Sequence, residues 1–332
     1  MQRRQALAAL GALLAGGCLG AKRPEPASSG VRTEGSAPVF TRTPTPEPTA
    51  TPEPTETPEP TETPEPEPSA DAVDAGDEAI DRVQSDFRTA VEAYTGDEDG
   101  ALTDVSLAVD GFDVRSVFLA LDDVQRALVA AEDAATTDDQ RETVADLRVA
   151  ERFLTQSALV HSYFLDCIDR LDATYAAFSD GVDAVENAED RFDATLDRAS
   201  GVVTTLKNDF DADPVAAAEP FDDDTYDDTV SAFDAIRSMF RDTASGLNRM
   251  VQGLDELEQA RDDEDDGDDD DAADAADEAR DLFDEGYEFF DDAVDAADDA
   301  AAGDELVALL EDLRAVADDR YNEADDLYED VS

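Results

Sequence analysis

Thirteen of the 15 prolines in this 332-residue chain lie before residue 69. The other two, Pro214 and Pro220, share one short stretch. Proline cannot donate a backbone hydrogen bond and breaks a helix interior, so its confinement leaves the body free to be helical. The apolar spacing points the same way. Ile80, Val83, Phe87, Val91 and Tyr94 step by three and four residues, as do Val114, Val117, Leu121, Val124 and Leu128. The rhythm runs on from Val144 through His161 to Phe178, from Val182 to Phe210 and from Tyr226 to Leu257. It returns from Leu282 to Ala297 and from Leu306 to Leu327. This is the period of amphipathic helices, not of strands. The expected fold is all-α, an elongated antiparallel bundle of about seven helices. The seam period near 3.5 residues predicts coiled-coil-like packing.

Local signals place the ends. Thr137 with Gln140 forms a capping box for the long third helix. Ser179-Asp180-Gly181 is either a tight turn or a glycine tolerated within one very long helix, and antiparallel return is the favoured reading. Gly96 to Gly100 reads as a turn, and Leu102 to Val109 as an irregular entry to the second helix. Asp211 to Pro220 is a break, with a sub-boundary of the domain placed at 211–221. The acidic run Asp262 to Asp271 is read as an interruption after the fifth helix.

Charge narrows the partners. The chain has 24 basic and 87 acidic side chains, a net of −63. Only six basic and nine acidic ones precede residue 69, so the body carries a net of −60. Nucleic acid would be repelled, and so would an anionic lipid surface. Such composition signals either disorder or a fold adapted to strong salt. At 1 M ionic strength the Debye length is ~3 Å, so self-repulsion is largely screened. The strong helical period favours the folded reading. Asp outnumbers Glu by 59 to 28, and Arg outnumbers Lys by 22 to two. This composition resembles that of proteins from extremely halophilic archaea.

The first residues, Met1-Gln2-Arg3-Arg4-Gln5, precede an apolar run from Ala6 to Ala15 and then Gly16-Gly17-Cys18. Positive charge, a short apolar segment and small residues make a signal peptide over 1–17. The run is too short to span a membrane as a helix. Arg3-Arg4 resembles a twin-arginine export signal, which carries proteins that are already folded. Leu14-Ala15-Gly16-Gly17-Cys18 resembles a prokaryotic lipoprotein box, with the leucine one place further from the cysteine than usual. The resemblance, to haloarchaeal twin-arginine-exported lipoproteins, implies lipidation at Cys18 and placement on the extracytoplasmic face of the cell membrane. Residues 18–69 hold a hexapeptide repeated four times from Thr45, as in Thr51-Pro-Glu-Pro-Thr-Glu. This proline-rich segment is expected to be a disordered stalk in polyproline II, plain or O-glycosylated. The acidic helical domain then occupies 70–332.

No catalytic constellation stands out, and no cofactor is expected. Asp223, Asp224 and Asp227, with Asp291, Asp292 and Asp295, match the DDxxD pattern of helical isoprenoid synthases. The cationic side chains needed to receive a diphosphate are too sparse here. Asp262, Glu264, Asp266 and Asp268 are weak metal candidates, because the first three and Gly267 resemble early positions of a calcium loop. Ala273 would fill the twelfth position and supplies no carboxylate. Asp97, Asp99 and Gly100 resemble part of another such loop and fail for the same reason. His161, the only histidine, falls on an apolar stripe and is expected to be structural. Cys167 is expected to be a core thiol, or else the partner of an intermolecular bond or a reactive thiol. The expected role is a non-enzymatic, lipid-anchored surface protein that binds or scaffolds a cell-surface partner amid bulk salt cations. The alternative is surface capture of a solute or divalent metal.

Overall fold

Stripes of Val, Leu and Phe at helical spacing must find facing stripes, and eight helices among the described residues supply them. A computed structural model describes residues 68–96, 102, 112–300 and 302–332. The helices are α1 (Ala70–Thr95), α2 (Val114–Ala134), α3 (Asp138–Ala177) and α4 (Val182–Asp209). A single turn, α5 (Ala212–Val215), leads to α6 (Thr225–Asp266), α7 (Asp269–Asp299) and α8 (Asp304–Val331). The fold is an all-α antiparallel bundle, with seven long helices among the described residues, as the periodicity predicts. The 42 residues of α6 rise about 63 Å. Among the described residues no helix is long and apolar enough to cross a membrane. The signal, the Cys18 box, the repeats, the turn at 97–100 and most of 102–109 lie outside the described residues.

Successive helices pack as neighbours: α1 on α2, α3 on α4, and α6 on α7 on α8. α4 packs on α6, while α3 touches α1, α2, α4, α5, α6 and α8, which makes it the central strut. The turn at 178–181 settles the first open point. α3 ends at Ala177, and Gly181 starts α4 with φ 104°, a conformation that side-chain-bearing residues rarely adopt. α3 and α4 are therefore two helices.

The capping box at Thr137 and Gln140 is present, and it does more than cap. Gln140 Oε1 accepts from the Thr136 amide at 2.9 Å. Its Nε2 donates to the Val73 carbonyl at 2.8 Å and to Asp77 Oδ1 at 2.7 Å on α1. One amide thus closes α3 and bolts it to α1. Gly76 leaves room for it, because a Cβ there would stand 2.5 Å from Gln140 Oε1. Gln140→Glu keeps the cap but presents an acceptor to the carbonyl and the carboxylate. It is expected to cost about 2 kcal/mol more than a cap-neutral change, since buried acceptors facing acceptors go unsatisfied. Urea melts in molar KCl check this; equal stability of the glutamate variant and the native chain would rule out the bolt.

The break at 211–221 is not a linker between domains. Phe210, Val215, Ala218 and Phe221 are buried, and Phe221 meets Phe87 and Phe153 edge-on. Gln84 of α1 donates to the Ala217 carbonyl and accepts from the Glu219 amide, both at 2.8 Å. The two prolines interrupt the helix while the apolar residues around them hold the turn in the core. Residues 68–332 form one compact unit.

The α6–α7 seam sets how closely helices approach. A Cβ on Gly246 would stand 2.8 Å from the Phe290 ring, and one on Gly253 would stand 2.6 Å from Phe283. Gly286 answers from α7, facing Met250. A missing side chain on one helix therefore receives a large one from the other, in three successive layers of a seven-residue repeat.

Candidate functional site

The acidic turn between α6 and α7 is shorter than its charge suggests. Asp262, Glu264 and Asp266 lie inside α6, and Asp269 to Asp271 lie inside α7. Only Gly267 and Asp268 separate them. The expected interhelical loop over 262–271 is thus corrected to a two-residue connection. The Asp268 amide donates to the Asp263 carbonyl at 2.9 Å, and the Gly267 amide to the Glu264 carbonyl at 3.0 Å. This closure needs the left-handed Gly267, at φ 83°. On a helix, Glu264 is turned well away from Asp262 and Asp266, so the calcium-loop arrangement does not form. Among the described residues no group of three or more His, Cys, Asp or Glu side chains is arranged to hold a metal ion.

The two DDxxD segments also fall apart. Asp223 and Asp224 precede α6, and Asp227 lies in its first turn. Asp291 lies on α7 beside the Gly246 layer, about 28 Å further along α6. Its Oδ1 takes a hydrogen bond of 2.5 Å from Arg314 Nη1 on α8.

His161 sits in the core, 1 % exposed. Its ring lies 4.2 Å from that of Phe112, tilted by 31°, and edge-on to Tyr94. The Tyr94 hydroxyl and His161 Nδ1 are 3.4 Å apart. Nε2 is buried and has no hydrogen-bond partner among the described residues. Burial holds the imidazole neutral down to about pH 4. Burial also pushes the Tyr94 hydroxyl and the Cys167 thiol well above their usual ranges. Cys167 is a free core thiol.

His161 therefore has a definite pH signature. Above its unfolded pKa of about 6.5 the imidazole is neutral in both states, and stability is at its full value. As pH falls toward 4 the unfolded chain gains a proton that the folded chain refuses. Stability is then lost, by about 3 kcal/mol in total. Burial raises the carboxyl pKa of Glu189, Asp193 and Asp242, which works in the opposite sense: stability is gained as pH falls through their folded values. His161→Phe removes only the first contribution. Its stability difference from the native chain should shift by about 3 kcal/mol between pH 7 and 4, read by urea melts in molar KCl. A constant difference would mean that His161 does not titrate on unfolding.

Two carboxylates are more buried than their chemistry suggests, Glu151 and Glu189. Glu151 accepts from Gln125 Nε2 at 2.8 Å and from Thr155 Oγ1 at 3.1 Å. Asp193 lines the α4 side of a groove that Ser245, Asn248 and Arg249 close from α6, and Glu189 accepts from Asn248 beside it. Burial and repulsion from neighbouring carboxylates raise both carboxyls, Asp193 acting on Glu189, and Asp197 and Asp190 on Asp193. The register carried the signal: Glu151 falls between Leu147 and Leu154, and Glu189 between Val185 and Phe192. A cleft of about 490 Å³ lies between α3 and α8, lined by Tyr175, Phe178, Val316, Asp319 and Arg320. Arg320 is tied to Glu323, which also pairs with Arg261. Arg249 in the other groove pairs with Glu285 at 2.8 Å, so both arginines are engaged by neighbouring carboxylates. Comparisons with known protein families, with characterised proteins and with solved structures return no match.

Proposed function

We propose that this chain is a lipid-anchored protein of the extracytoplasmic cell surface, exported through Arg3-Arg4, held by Cys18 and displaying an acidic helical bundle that binds or scaffolds a surface partner. The observation that supports this most is the interlocked bundle itself. Its long helices are locked by the glycine–phenylalanine seam and by side chains such as Gln84 and Gln140. Such a body suits a rigid display surface, with the work done on the outer helix faces. Its charge suits a salt-rich exterior, where screening shortens repulsion to a few ångströms.

Fractionation of cells tests it. The native chain is expected in the membrane fraction, with Cys18→Ala released to the medium and Arg3→Lys/Arg4→Lys retained inside the cell. A Cys18→Ala chain that stays with the membranes contradicts lipid anchoring. A native chain found in the cytosol contradicts the surface role altogether.

A further inference from the structure

Two aliphatic side chains of the described surface are more than half exposed, Leu119 at 59 % and Val129 at 54 %, and both lie on α2. They are part of an ordered stripe. Arg115, Leu119, Asp122, Arg126, Val129 and Asp133 are all exposed and step by four, three, four, three and four residues. That spacing keeps them in line on a helix, opposite the buried stripe Val117, Leu121, Val124, Leu128 and Ala131. α2 packs on α1 and α3 through that inner stripe, so the outer stripe faces solvent. It carries two arginines and two aspartates and is neutral, on a body whose net charge is −60.

The order of the stripe is self-complementary. Laid antiparallel on a second copy of itself about Val124, Arg115 meets Asp133, Leu119 meets Val129, and Asp122 meets Arg126. The two-fold axis repeats all three pairs. Every charge finds its opposite and each exposed aliphatic meets the other. These are also the facing positions that an antiparallel coiled coil brings together. A parallel pairing would instead set Arg115 on Arg115 and Asp122 on Asp122. Within one chain Arg126 Nη2 donates to Asp122 Oδ2 at 3.0 Å and also pairs with Asp123. A second copy would extend that pairing across the seam.

We propose that the outer face of α2 is an isologous docking surface for a second copy of this chain, paired antiparallel through these six residues. A seam of one helix is small, below about 1,200 Å² in total, so the association is weak and reversible in dilute solution. Crowding of copies at one surface would strengthen it.

Oxidative cross-linking and sedimentation of the full chain in molar KCl test this. The chain carries Cys18→Ala, so that buried Cys167 is its sole native thiol. The L119C/V129C double variant is expected to form a covalent dimer under mild oxidation. L119C alone and V129C alone are expected to stay monomeric, because the two-fold sets like positions about 15 Å apart, beyond a disulfide's reach. R115D and D133R should each weaken the dimer at least tenfold, and the R115D/D133R double variant should recover it. Arg115 and Asp133 lie about 27 Å apart along one helix, so recovery can arise only between copies. All these positions are exposed, and circular dichroism of each variant checks that it remains folded. A native chain that sediments as a monomer up to its solubility limit would overturn the proposal. So would single-cysteine variants that cross-link as well as the double, or charge changes that fail to rescue each other.

Discussion

Phe283→Ala is expected to destabilise the bundle by about 3–5 kcal/mol, because a fully buried ring leaves a cavity that α6 cannot close. The ring lies over Gly253, where a Cβ would stand 2.6 Å from it. Gly253→Ala alone should therefore also destabilise. Overpacking costs about 1–3 kcal/mol, against a gain of about 1 kcal/mol in helix propensity. The sign should reverse once the ring is gone. In the Phe283→Ala background the added methyl enters empty space, and only the propensity gain remains. Gly253→Ala is then expected to stabilise by up to about 1 kcal/mol. The four chains of this cycle, melted in urea at constant molar KCl, give the coupling directly. Additive effects would mean that the seam relaxes and that the glycine is incidental.

The cycle also shows which parts of the architecture the sequence could reveal. Helices such as α1 and α2 are legible because Val83, Phe87 and Val91, or Val117, Leu121 and Val124, repeat at a period that no strand shares. The cap at Thr137 and Gln140 is legible because it is local. The contact of Gln140 with Val73 and Asp77 is not, because it spans more than sixty residues. Gly246, Gly253 and Gly286 gain a role only once the facing helix supplies Phe290, Phe283 and Met250. The acidic run at 262–271 reads as a loop because charge hides helix where no apolar stripe marks the register. Alanine does that marking there, with Ala260, Ala275 and Ala276 forming a small core of their own. Glu151 and Glu189 stay hidden for a related reason: in a chain this acidic, a carboxylate on the inner stripe looks like one more solvated charge.

The second large effect follows from that charge. The folded body gathers 78 carboxylate side chains and 18 cationic ones. Many ion pairs among the described residues are exposed, such as Arg141 with Asp138 and Arg126 with Asp122, and exposed pairs contribute little each. What opposes the repulsion is a core of ordinary residues, many of them alanine, which bury little area apiece. A domain's net stability is only about 5–15 kcal/mol, so unscreened repulsion among these charges is large enough to exceed it. Screening to ~3 Å in molar salt removes most of that repulsion, while the Debye length of ~30 Å at 0.01 M restores it across the whole bundle. The alanine-cored tip around Gly267 should open first, because its charge is densest and its core smallest.

The most direct measurement is far-ultraviolet circular dichroism of the full chain, dialysed stepwise from molar to millimolar KCl. The expected result is a reversible loss of helix as salt falls, with full recovery when it is returned. A helical signal unchanged from molar to millimolar KCl would contradict it, and with it the reading of this acidic surface as one that needs strong salt to fold.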